Sequence, residues 1–400
     1  MFLQNTKEFL RQPSSRTIGY LFAIGSILLG IWAAAIPQIK ERLALSDASF
    51  GLSLLLAPVG SLTGVMLAPS VFKRIAVGKW MLVGYTSYCL IFIAQVMAVN
   101  ALMLWLALFF NGLIGFLNGV STNATVDMVE QKENRRIMST SHGMYSLGGF
   151  VGAGLTSIFF ALHVSSNWQI IIVVALLLLG LYLQRHYLLT NNNQIKSDTS
   201  FRLPSGSVIG LAFICFVSFM GEGCVADWSA LYLHDSLRGS RQIAGLGFAG
   251  FSIAMAIGRL NGDRWIPQVG SKRMVIIGCI TASAGFLLAI GFANTITAIA
   301  GFTLIGAGFC CVVPILFSAA TRVPGVSPVN GIAAVASGGL LGFLAGPSMI
   351  GMIAEEYSIA TGLSVVFVLA IIAAIVAWKN DFLVNRHSRA PEVNYNDQHL

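Results

Sequence analysis

Two carboxylic side chains, Glu222 and Asp227, interrupt the apolar run over residues 203–233, and a histidine, His142, stands near the start of another such run. A charged group held in lipid is costly, so it turns toward a cavity or a partner. Ser218, Ala226 and Ser229 share the Glu222 face at helical spacing, which gives a stripe of small and polar groups. Glu222 therefore reads as a cavity residue able to carry a coupled proton, and a buried structural hydrogen bond is the competing reading. Counted from Gly206 at ~1.5 Å per residue, it falls ~24 Å along its helix, in the outer half. Asp227 lies further out, where capping or loop contact competes with function. Trp228 and Tyr232 beside it read as an interfacial aromatic belt.

Asn111, Asn118 and Thr122 recur at i, i+7 and i+11, with Asn123 and Asp127 on the next face. Such amides suit hydroxylated solutes and serve equally well to join helices. His142 and Tyr145 lie about one turn apart, and a lone histidine anchors a helix as readily as it relays protons. These dispersed ionisable groups lack the clustering that metal or acid–base catalysis needs, so no enzymatic activity, no metal and no cofactor are expected. The six cysteines fall in apolar runs without metal-type spacing and read as small packing residues.

A second concentration of charge lies in "GRLNGDRWIPQVGSKR", residues 258–273, where Arg259, Asp263, Arg264, Lys272 and Arg273 gather in a chain only 10% charged. That overall figure, with 56% apolar residues and a mean hydropathy of +0.78, describes a chain built for lipid, because a soluble surface needs about 25% charge. A span needs ~20 apolar residues. Residues 17–39 and 48–72 fit one helix each. Residues 80–126, 137–184 and 274–321 contain no Asp, Glu, Lys or Arg and fit two each, with turns near Asn100, Ser165 and Asn294. Residues 203–233, 242–266, 329–354 and 357–378 complete twelve spans.

Lys and Arg are retained in short cytoplasmic loops during insertion. Placing both termini in the cytoplasm puts 20 of the 24 Lys and Arg on that side and leaves only Lys40, Arg42, Arg238 and Arg241 outside. The net charge of +8 follows from this topology, and no nucleic-acid partner is needed to explain it. The first apolar run reads as an uncleaved helix of a multi-pass inner-membrane protein.

Two weak internal repeats organise the chain. Gly51 and Gly64 fall on Gly245 and Gly258 at a shift of 194, and Gly148, Gly149 and Gly152 fall on Gly338, Gly339 and Gly342 at a shift of 190. The expected division is a six-helix bundle over 1–189, a polar cytoplasmic linker over 190–205, and a second six-helix bundle over 206–400.

Gly-Arg-x-x-Gly-Asp-Arg followed by Gly270, Lys272 and Arg273, between two helices on the cytoplasmic side, resembles the loop signature of the major facilitator superfamily. The resemblance covers the whole chain and implies an all-α fold of two pseudo-symmetric six-helix bundles and transport by alternating access. Gly258 and Gly262 permit close helix approach. In the superfamily an acid at the Asp263 position latches the two halves together, and its natural partner here is the start of the fifth helix, at Ser139 and Thr140. In the first half Ala68 and Pro69 stand at the Gly262 and Asp263 positions, so one latch is expected to be missing.

"SHGMYSLGGFVGAG" (residues 141–154), "GEGCVADWSALYL" (221–233) and "GFLAGP" (342–347) are similar to the YbjJ-type inner-membrane branch, loosely associated with fucose-permease-like carriers. The implied function is secondary transport of a small polar organic solute, sugar-like by that association, by a monomer in the bilayer. Coupled relatives place an acid in the first or fourth helix. The first helix here has none, so proton coupling through Glu222 and uniport both remain open. The fifth helix lacks the Gly-Pro pair of drug antiporters. Drug or metabolite efflux, or a non-transporting sensor, are the alternatives. Pro314 and Pro347 are expected to kink the tenth and eleventh helices.

Overall fold

The computed structural model describes residues 8–190, 204 and 206–383; most of the 190–205 linker and the Asp263 side chain lie outside the described residues. Twelve helices are long and apolar enough to cross a bilayer, and no strand occurs among the described residues. They are α1 (Pro13–Arg42), α2 (Asp47–Arg74), α3 (Val77–Val96), α4 (Ala101–Glu133), α5 (Met138–Ala161) and α6 (Ser166–Leu183) in the first half. The second half holds α7 (Gly206–Ser236), α8 (Arg241–Gly262), α9 (Ser271–Gly291), α10 (Thr295–Ala320), α11 (Pro328–Glu356) and α12 (Ile359–Lys379). The α8 helix itself runs on to Val269.

The tight turns fall where the sequence places them because capping residues start the next helix. The Asn100 side chain accepts from the Met103 amide at 2.8 Å, and that of Asn294 accepts from the Ile296 amide at 2.8 Å. In α10 the helix is interrupted at Cys310 and Cys311, since Pro314 offers no amide to the Cys310 carbonyl four residues back. Pro347, by contrast, does not interrupt its helix. The α11 helix continues through it, and the Pro347 carbonyl instead accepts from the Trp228 indole at 3.1 Å.

Lipid supplies no hydrophobic drive between helices, so close backbone approach holds the bundle. A Cβ at Gly152 of α5 would strike the Ile27 carbonyl of α1, and one at Gly342 of α11 would strike the Phe216 carbonyl of α7. These two glycines are 190 residues apart, so the same contact joins the first and fifth helices of each six-helix bundle.

The halves meet along two outer seams, and α1 touches α7 between them. Along one, α5 follows α8 from Ala153 against Gly245, past Gly149 against Ser252, to Gly143 against Leu260. Along the other, α11 meets chiefly the first part of α2, with Gly51 against Gly351 and the Ser348 hydroxyl donating to the Gly51 carbonyl at 3.1 Å. Charge closes the face opposite to that on which α1 begins and α12 ends. There Lys40 lies 2.8 Å from Asp47 and 3.3 Å from Asp235, Arg241 lies 2.6 Å from Glu41, and the Ala48 amide donates to Glu355 at 3.0 Å. On the basic face, the described pairs Arg135–Glu8 at 3.5 Å and Lys272–Asp381 at 3.8 Å each stay within one half.

Candidate functional site

Glu222 is residue 17 of the 31 in α7, counted from Gly206, and so stands at the middle of the span and not in its outer half. Its carboxylate faces Arg259 of α8, with Oε1 3.5 Å from Nη2, and their side chains are 17% and 15% exposed. Arg259 lies ten residues before the helix end at Val269, and its long side chain reaches back into the membrane toward Glu222. A second guanidinium nitrogen, Nη1, donates to the Ser146 hydroxyl of α5 at 3.4 Å. Tyr145 lies close enough to feel both charges, and His142 feels that of Arg259. The His142 ring packs on Phe22 of α1, centroids 5.0 Å apart. The structure thus gathers Glu222, Arg259, His142, Tyr145 and Ser146 between the two halves.

The ion pair is loose. At 3.5 Å it exceeds ordinary hydrogen-bond length, and Glu222 Oε1 is buried without a hydrogen-bond partner. Ser218, one turn before Glu222, and Ser229 are both fully buried with unpartnered hydroxyls, although a helical serine ordinarily bonds the carbonyl four residues back. The polar stripe of α7 is therefore unsatisfied along its length.

The remaining polar candidates separate. Asp227 lies near the Trp32 indole of α1, away from the central cluster. Trp228 and Tyr232 do not form an interfacial belt. They are 0% and 2% exposed, with Trp228 edge-on to Phe50 and the Tyr232 hydroxyl donating to the Ala289 carbonyl at 3.2 Å, because this end of α7 is enclosed by protein. Asn111 donates to Gln95 at 3.0 Å, Thr122 shares a 2.9 Å hydrogen bond with Tyr85, and Asn123 donates to its own helix at Gly119. Asn118 differs: it is 3% exposed, both its amide atoms lack partners, and it lies against Gly84. Asp127 is exposed and accepts from Gln131 at 2.8 Å.

The loop residues are similarly divided. Gly258 is pressed on Cys310 and Gly262 lies near Cys311. Gly270, at φ +87°, makes the turn into α9. Arg264 and Arg273 are exposed, and Lys272 pairs with Asp381. Glu130 was not among the residues singled out from the sequence. Its Oε1 accepts from the amides of Ile137 at 2.5 Å and Met138 at 2.8 Å, and so caps the start of α5 from the last turns of α4. Two of the amides offered to Asp263 are thereby taken by a residue of the same half. The accessible signal was an acid just before a short turn, facing an α5 first turn that has no acid of its own.

The arrangement is a mid-membrane charge pair on the boundary between two pseudo-symmetric six-helix bundles. The Major Facilitator Superfamily model matches residues 18–209 and 211–393, and the chain belongs to that family. It is 34% identical to an uncharacterized MFS-type transporter of Yersinia pestis over 370 residues, covering 92% of this chain and 95% of the relative. A putative tartrate transporter of Agrobacterium vitis is 31% identical over 172 residues, 42% of this chain and 40% of the relative. Among solved structures, the nucleoside transporter NupG superposes with a TM-score of 0.69 at 14% identity, covering 92% of this chain and 98% of that one, a likeness of fold alone.

Proposed function

We propose that this chain is a secondary active transporter that carries a small polar organic solute across the cytoplasmic (inner) membrane by alternating access, with Glu222 as the proton carrier. The observation that carries this reading is the Glu222–Arg259 pair, held at mid-membrane by α7 and α8 of one half and touched by Ser146 of the other. Any rocking of the halves changes the surroundings of that pair, which is what coupling requires. In this reading the basic face is cytoplasmic, both termini are inside, and the halves divide within 190–205. The tartrate name of the Agrobacterium vitis relative supports the coarse solute class.

The sugar-like refinement draws less support. Of the groups suited to hydroxyls, Asn111, Thr122 and Asn123 are occupied by helix contacts, and Asn118 alone keeps an unpartnered amide. Flux of labelled solutes into proteoliposomes, with and without an imposed pH gradient, tests the proposal. Gradient-driven accumulation supports it. Tight solute binding without flux would replace it with a sensor.

A further inference from the structure

We propose that Arg259 is the binding residue for a monocarboxylate solute, and that Glu222 is the occupant which that solute displaces. This deepens the transport reading above and rests on it. A guanidinium has five N–H donors in a rigid planar fork, shaped for two parallel bonds to one carboxylate. The described contacts of Arg259 use that fork poorly: one oxygen of Glu222 at 3.5 Å from Nη2 and the Ser146 hydroxyl at 3.4 Å from Nη1. The other side of the pair is equally unsatisfied, since Glu222 Oε1 is buried without a hydrogen-bond partner. The two side chains lie near each other without closing. A free carboxylate, which can choose its approach, makes the better ligand.

Charge conservation supplies the rest. The resting pair is neutral overall. An anion docked on Arg259 beside an ionised Glu222 would leave one uncompensated negative charge far from water, a costly state. Neutrality returns when the displaced Glu222 carboxylate takes one proton from the water on the open side. The proton forms the O–H bond of the acid, and no electrons move between groups. Each monoanion is thereby tied to one proton, and the loaded site carries no net charge. Among the described residues, the titratable groups around the pair are Tyr145 and His142 on α5, Cys215 on α7 and Cys310 on α10. Of these, His142 is the alternative proton acceptor. A neutral solute, by contrast, gives Glu222 no reason to leave.

Purified full-length protein, lightly buffered in detergent, tests this with D-glucuronate and L-lactate as anions and D-glucose and glycerol as their neutral counterparts. Binding is read by thermal shift and calorimetry, and proton uptake by a pH indicator. The wild type should bind at least one anion with uptake of one proton, and neither neutral compound should compete. Glu222→Gln should bind the same anion roughly tenfold more tightly, because the internal competitor is gone, and without proton uptake. Arg259→Gln should lose binding, and His142→Gln should keep the proton uptake.

Anion binding that survives Arg259→Gln, equal binding of the neutral counterparts, or no anion bound by either the wild type or Glu222→Gln would each overturn the assignment. Proteoliposome flux separates the two readings. Transport of a neutral solute that persists in Arg259→Gln leaves the transporter reading standing and removes this one. Arg259-dependent anion binding without flux does the reverse.

Discussion

The Ser139 hydroxyl donates across the two halves to the Arg259 carbonyl at 3.0 Å, so the residue whose guanidinium faces Glu222 is anchored through its backbone to the start of α5. Ser139→Ala removes one such bond, worth about 1 kcal/mol. That corresponds to a roughly fivefold shift in the balance between conformers, toward opening at the basic face. Labelling of single cysteines from the two sides of the membrane should report the shift.

Glu130→Ala should loosen the first turn of α5, since it strips an anionic cap from the Ile137 and Met138 amides. The expected cost is ~1 kcal/mol. Thermal unfolding in detergent would measure it, and Glu130→Gln, which keeps an acceptor but no charge, should retain part of the stability.

Asp263→Asn addresses the latch suggested by the loop signature. It should favour the basic-face-open conformer, visible as faster cysteine labelling from that side. If labelling is unchanged while Glu130→Ala alters it, the α5 terminus is held within its own half, and Asp263 is a topology residue.

Glu222→Gln should abolish accumulation driven by a proton gradient while solute exchange at equilibrium continues, because the amide resembles the protonated acid in shape and hydrogen bonding. Preserved uphill uptake would move the coupling role to Asp227 or Asp127.

Gly152→Ala and Gly342→Ala should each destabilise by about 1–3 kcal/mol, since the new methyl group meets backbone carbonyls of α1 and α7. Gly154→Ala, which meets nothing within 4 Å, should be neutral or stabilise by up to ~1 kcal/mol through helix propensity. Comparison of the three melting temperatures checks that the repeat is one of contacts.

Twelve spans and the turns at Asn100 and Asn294 were legible because charge gaps and caps are local properties of the chain. The Glu222–Arg259 pair was not. The two residues are 37 positions apart, and their meeting depends on the relative depth of two antiparallel helices. Arg259 was therefore read with the loop beyond it. Trp228 and Tyr232 were misread for a related reason: distance along a helix locates a residue in depth and says nothing of what surrounds it. Asn111 and Thr122 were correctly seen as able to join helices, but only their neighbours Gln95 and Tyr85 decide that they do so.

The two seams between the halves are unequal in reach, and that inequality gives the molecule a spine and a mouth. Helices α5 and α8 stay together from Gly245 to Arg259, whereas α11 grips α2 mainly over its first turns. Separation at the basic face is then easiest beside α2 and α11. The lipids bordering that side, and not those along α5 and α8, are the ones whose tails can reach into the opening, so the width of the gap there should respond to the composition of the surrounding leaflet.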